Sequence, residues 1–130
     1  MRHLMLASLF CLALPAAAGA QSVARGQYIV EHVGLCNDCH TPRDEKGELI
    51  MSKSLQGFEI GFRPLHPMPF AEYAPPIAGL PAHYTPEQMV TFLQTGKRPD
   101  GSLPRPPMPP YRMSREDAQS VMSFLRSMKK

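Results

Sequence analysis

The sequence predicts a small all-α domain, three to five short helices joined by long proline-rich loops. Three observations carry that expectation. Thr85-Pro86-Glu87-Gln88 and Ser114-Arg115-Glu116-Asp117 are helix-start signatures, each followed by apolar residues at helical spacing. Residues 22–33 show the same spacing through Tyr28, Ile29 and Val33. The chain also holds 15 prolines in 130 residues, most of them between these segments. Proline fixes its own φ and donates no hydrogen bond, which argues against long helices or a regular sheet through the middle.

The first residues stand apart from this domain. Met1-Arg2-His3 is a short positive head, Leu4 to Leu14 is apolar except for Ser8, and Ala16 to Ala20 supplies small residues in an A-x-A pattern. Residues 1–20 are expected to be a secretory signal peptide, cut after Ala20, with 21–130 as the working domain. The apolar run falls short of the roughly 20 residues that span a bilayer. Cys11 leaves with the leader, and Phe10 before it is too large for a lipoprotein cleavage site. Only Cys36 and Cys39 then remain. A disulfide between residues so close together would constrain little of the unfolded chain.

The first helix is expected over Ser22–Val33, with Ser22 as its cap and Gly34 as its stop. His32 on it fits an exposed helix histidine. Thr41 to Gly47 is a charged turn. Residues 48–84 carry no sustained period, and Pro64, Pro67, Pro69, Pro75, Pro76 and Pro81 break any helix there. The second helix starts at the Thr85 capping box with Pro86 in its first position, and Gly96 ends it. Lys97 to Pro110 is again irregular. Met113 then precedes the Ser114 cap, with a staple to Ala118, and Ala118, Val121, Met122, Leu125 and Met128 line one face of a terminal helix.

Chemistry concentrates in Cys36-Asn37-Asp38-Cys39-His40. Two thiols three positions apart, with an imidazole directly after the second, form the pattern of c-type haem attachment. Each sulfur can bond one vinyl-derived carbon of the macrocycle, and His40 then lies under the iron as proximal ligand. A zinc site or a dithiol–disulfide couple is the alternative, and the histidine directly after the second thiol shifts the balance toward haem. A domain this small gains from a macrocycle that serves as part of its core. The formal charge of +3 is mild and no basic run interleaves with aromatics, which excludes nucleic acid as a partner.

The opposite face of an iron held by His40 takes methionine, histidine, water or nothing, and that choice separates electron transfer from chemistry on a bound small molecule. Met89, Met122 and Met128 belong to helical stripes and are core filler. Met51 has nothing around it to recommend it. Met68 and Met108 each stand in Pro-Met-Pro, where flanking prolines stiffen the backbone and fix where the sulfur points. Met113 competes, although its place before the Ser114 cap gives it a packing role.

The motif, the later short helix and the methionine loop leading into a terminal helix resemble the class I cytochrome c family, most closely its periplasmic monohaem members. Arg98-Pro99-Asp100-Gly101 and Pro107-Met108-Pro109-Pro110-Tyr111 are similar to the ligand loop of small cytochromes found beside dehydrogenases. The resemblance covers 22–130, loosely over 44–84. It implies one covalent haem c on Cys36 and Cys39, His40 and Met108 as iron ligands with Met113 as the alternative distal ligand, and propionate contacts from among Arg43, Tyr73, Tyr84 and Arg98. Two departures stand out. The family usually places a proline carbonyl about a dozen residues past the motif to accept from the proximal histidine, and Ser52 occupies that place here. The chain also lacks tryptophan, a frequent propionate partner.

The function so implied is a periplasmic carrier of single electrons between a dehydrogenase and a respiratory acceptor, an oxidase or another cytochrome. It is an electron-transfer protein rather than an enzyme, and it is not stably inserted in a membrane. The alternative is a haem enzyme or gas sensor with a labile or absent distal ligand, for which His66 and His83 are the imidazoles available in the loops.

Overall fold

The computed structural model describes residues 15–128, with side chains from position 22 onward. Helix α1 spans Pro15–Tyr28 and passes directly into a π-helical turn, Ile29–Val33. Helix α2 is the single turn Cys36–His40, α3 spans Pro86–Thr95 and α4 spans Arg115–Ser127. Between α2 and α3 lie a 3-10 turn at Met51–Lys53 and a two-residue antiparallel ribbon. In it β1, Phe58–Glu59, pairs with β2, Tyr73–Ala74, so that Phe58 faces Ala74. The all-α expectation holds, and the stretch without period is the stretch with almost no regular structure. The leader expected at 1–20 lies largely outside the described residues.

One expectation about the first helix changes and another is sharpened. Ser22 does not cap it, because α1 already runs from Pro15 through alanine-rich sequence that favours helix. The Ser22 hydroxyl instead donates to Ser120 Oγ at 3.4 Å. Gly34 does cap the helical segment after Val33, as expected, but not in the left-handed conformation. It keeps a right-handed φ of −83° and donates its N–H to the Ile29 carbonyl at 2.6 Å, five residues back. The residue that turns left-handed is Leu35, at φ 51°. The wider π turn therefore carries the chain to Leu35, which swings it into α2.

The terminal helices pack closely where they meet. A Cβ on Gly26 would lie 1.9 Å from the Ser120 carbonyl oxygen and 2.8 Å from Phe124 Cβ, so only glycine lets the two backbones approach this far. Arg25 spans the same crossing to Asp117, with Nε to Oδ1 at 3.0 Å, but the pair is exposed and adds little. Ile29 and Val30 from the π turn, Met89, Val90 and Leu93 from α3, and Ala118, Val121, Phe124 and Leu125 from α4 form one buried cluster.

Leu55 and Leu80 enter this cluster from the loops, both left-handed at φ 58° and 68°. That conformation costs a non-glycine residue about 1–2 kcal/mol. Leu55 is held there by its surroundings: its N–H donates to Thr41 Oγ1 at 2.9 Å, and its carbonyl accepts from Ile77 and Ala78 at 2.9 and 3.1 Å. Gly79 donates to the Leu125 carbonyl at 2.8 Å, tying the same loop to α4.

The later helices form as expected. Thr85 Oγ1 accepts from the Gln88 N–H and Gln88 Oε1 accepts from the Thr85 N–H, completing the capping box. Gly96 closes α3 in the left-handed conformation, φ 69°. Ser114 Oγ accepts from the Asp117 N–H at 3.1 Å, and Met113 packs against the core beside it.

The crossing supplies a direct test. Gly26→Ala should cost about 3 kcal/mol or more, because a backbone carbonyl has to give way. Ala24→Gly, on the exposed face of the same helix, should cost only about 1 kcal/mol. Thermal unfolding followed by far-ultraviolet circular dichroism compares the two.

Candidate functional site

Helix α2 is one turn long, too short to be stable alone. Its geometry comes from hydrogen bonds to the chain that follows. Asn37 and Thr41 face the interior, and Thr41 is fully buried. Thr41 Oγ1 donates to Asn37 Oδ1 at 2.7 Å while accepting from the Leu55 N–H. Ser54 Oγ donates to the same Asn37 oxygen at 2.8 Å. The Gly57 N–H donates to the His40 carbonyl at 2.8 Å. Residues 54–57 thus hold α2 from outside, and their grip fixes where Cys36, Cys39 and His40 sit.

His40 is 6% exposed, and its Nδ1 lies 2.7 Å from the Pro75 carbonyl oxygen. A carbonyl only accepts, so Nδ1 carries the proton and Nε2 keeps its lone pair. Burial lowers the His40 pKa, and the Pro75 bond opposes that shift in part. Among the described residues no fully buried side-chain nitrogen or oxygen lacks a partner, and the hydrogen bond of the His40 ring is made through Nδ1. Nε2 is therefore not sealed inside protein. Its lone pair is free to accept a hydrogen bond or bind a metal.

Cys36 and Cys39 are free thiols, both half-buried. Burial pushes the Cys36 thiol up to about 11, and a hydrogen bond with Tyr111 acts in the other direction. Burial and then Asp38 raise Cys39, while Arg43 opposes them. At neutral pH both sulfurs stay protonated and uncharged. Two accessible thiols and one accessible imidazole nitrogen, all carried by a single anchored turn, fit a covalently attached haem. A zinc site needs more ligands. Among the described residues no group of three or more His, Cys, Asp or Glu is arranged to hold a metal ion.

The structure separates the methionines. Met89 is buried, and Met113, Met122 and Met128 pack against the core. Met51 and Met68 are exposed at 54% and 50%. Met108 is half-buried at a turn, its N–H donating to the Arg105 carbonyl at 3.2 Å. His32, His66 and His83 are exposed.

The propionate candidates divide as well. Arg43 is engaged with the Gly47 carbonyl at 2.7 Å and the Asp38 carbonyl at 3.2 Å, bracing the turn after the motif. Arg98 Nη1 donates to the Leu103 carbonyl at 2.9 Å and so stiffens the loop ahead of Met108. Tyr84 stacks edge-on against Phe92, and burial raises its pKa. Tyr73 is exposed on β2.

Two contributors escaped the sequence reading. The acceptor for His40 is Pro75, not the exposed Ser52 that occupies the usual position. The ribbon and its outer loop come between the motif and Pro75, so counting a fixed distance from His40 could not find it. Tyr111 is the second. Its hydroxyl donates to the Gly34 carbonyl at 2.5 Å, across 77 positions of sequence, and nothing in the motif around Met108 signals that contact.

The model of the family described as Cytochrome c matches residues 23–129. The chain belongs to the class I cytochrome c family. Among curated proteins, none matches the chain. The cytochrome is a haem-based electron-transfer protein, and Cys36, Cys39 and His40 have the attachment spacing that a covalent haem c requires.

The anchoring of α2 is testable without reference to the cofactor's chemistry. Thr41→Val conserves shape but leaves the Leu55 N–H without its acceptor in a fully buried place. It should cost about 1–3 kcal/mol, measured by denaturant titration of the purified protein.

Proposed function

We propose that the protein is a periplasmic monohaem cytochrome carrying single electrons between a dehydrogenase and a respiratory acceptor. Cys36 and Cys39 attach the one haem, His40 is its proximal ligand and Met108 its distal ligand. The observation that carries this reading is the His40–Pro75 hydrogen bond. It fixes the tautomer and ring orientation and leaves Nε2 as the only nitrogen able to coordinate, the arrangement that orients metal-bound histidines generally. When bound, the haem supplies one-electron exchange between ferrous and ferric iron.

The chain's own residues do the rest. Pro75 holds the His40 proton at Nδ1. Asn37, Thr41 and Ser54 hold the turn that carries the sulfurs. Met108 is favoured distally because it is half-buried in a braced loop, whereas Met113 is occupied in the core and Met68 is exposed. Arg43, Tyr84 and Arg98 are the candidate propionate contacts; both arginines already donate to backbone carbonyls of their own loops, Arg43 to Gly47 and Asp38 and Arg98 to Leu103. Export rests on the leader pattern at 1–20. No described helix is long and apolar enough to cross a membrane. Donor and acceptor are the classes of partner that the ligand-loop resemblance implies.

Absorption spectra of oxidised and reduced protein after periplasmic expression test the reading. The weak far-red band of ferric iron bonded to a thioether should be present, lost in Met108→Ala and retained in Met68→Ala. A colourless protein, or a band that survives Met108→Ala, overturns the assignment. N-terminal sequencing of the same preparation should begin at Gln21.

A further inference from the structure

We propose that Tyr111 is a positioning residue, its hydroxyl latching the Met108 loop onto the turn that leads into Cys36. The inference rests on Met108 as distal ligand and adds what holds that ligand in place.

The latch is stiff on the loop side. Only Pro109 and Pro110 separate Met108 from Tyr111, and each has a fixed φ, so little slack lies between the sulfur and the hydroxyl. Beyond it the chain is fastened to α3, where the Met113 N–H donates to the Leu93 carbonyl at 3.1 Å. Arg112 Nη1 donates to the Pro110 and Tyr111 carbonyls at 3.2 and 2.8 Å. Pro110 packs on Gly96, where a Cβ would come within 2.6 Å of the proline ring. The loop is also held from its other end, where the Ala71 N–H donates to the Pro106 carbonyl at 2.7 Å.

The receiving side is equally constrained. Gly34 is held by its bond to Ile29, and a Cβ there would lie 3.2 Å from Cys36 Sγ and 3.4 Å from the Tyr111 hydroxyl oxygen. The hydroxyl thus sits against the backbone two residues before the first attachment cysteine. Among the described hydrogen bonds it makes the direct connection between the Met108 loop and the π turn. Losing it leaves the Gly34 carbonyl without that partner and removes the direct tie between the loop and the attachment turn, while the fastenings to α3 and to Ala71 remain.

An iron–thioether bond is weak, so an added ligand competes for the same position. Its apparent affinity rises in proportion to the fraction of protein whose methionine is displaced. Ferric holo-protein titrated with imidazole reads that fraction. Tyr111→Phe should keep covalent haem and the far-red band but bind imidazole roughly ten-fold more tightly than the parent. Met108→Ala should lack the band and bind tightest. Thr85→Ala, which removes the α3 cap without touching the loop, should bind as the parent does and so separates the latch from a general loss of stability.

Parental affinity in Tyr111→Phe, with the band lost in Met108→Ala, overturns the latch alone. A band that survives Met108→Ala overturns the ligand assignment and the latch with it. If Tyr111→Phe does not accumulate as holo-protein, hydrogen exchange of the parent decides. The amides of Gly34, Met108 and Met113 should open together, and independent opening overturns the latch.

Discussion

The site depends on how a five-residue helix is kept in shape. An isolated turn such as Cys36–His40 does not repay the entropy of nucleating itself. Its order is supplied by residues 54–57, which satisfy Asn37, Thr41 and the His40 carbonyl at once. Thr41 is the pivot, donating in one direction and accepting in the other while fully buried. Because each partner is satisfied only in this arrangement, a displacement of α2 leaves several buried polar groups unpaired together. The cost of that is larger than the cost of holding Leu55 left-handed, so the strained loop persists.

The same logic explains how a chain so rich in proline supports a defined site. Between α2 and α3 there is little regular structure to carry backbone hydrogen bonds, and a loop that long usually signals a wrong assignment or a function. Here the loop backbone is spent on individual contacts. The Leu55 carbonyl receives two N–H groups, Gly79 reaches α4, Ala71 reaches Pro106, and Pro75 offers its carbonyl to His40. Proline assists because it reduces the freedom the unfolded loop would otherwise lose.

Local signals in the sequence were reliable where local forces decide the structure. The Thr85 and Ser114 caps and the Gly96 stop depend on neighbours within four residues and are where the spacing placed them; the α4 stripe is there through Ala118, Val121 and Leu125, with Phe124 added to the buried face and Met128 falling just past the helix end. The attachment motif was legible for the same reason, since its chemistry is contiguous. What was not legible depends on distant partners. Gly34 closes the helical segment after Val33 as its position suggests, but its hydrogen bond to Ile29, five residues back, leaves the left-handed turn to Leu35. Pro75 lies 35 positions from His40, and no periodicity reports which of six loop prolines will arrive there. Glycine at position 26 is equally silent in the sequence, since its reason is a carbonyl on the opposite helix.

The two long-range contacts at the site have different consequences for an electron carrier. The Pro75 bond acts on the imidazole itself, because a carbonyl acceptor at Nδ1 sets the tautomer and makes Nε2 a stronger base. The Tyr111 bond acts on distance, since it joins a loop fixed to α3 with a turn fixed to α1. Neither α3 nor α1 needs to move for one electron to leave or arrive. With its two sides braced by separate helices, the site is held by contacts that join segments far apart in sequence. The irregular backbone sets where the His40 imidazole and the Met108 loop sit, while the helices supply the frame to which both are fastened.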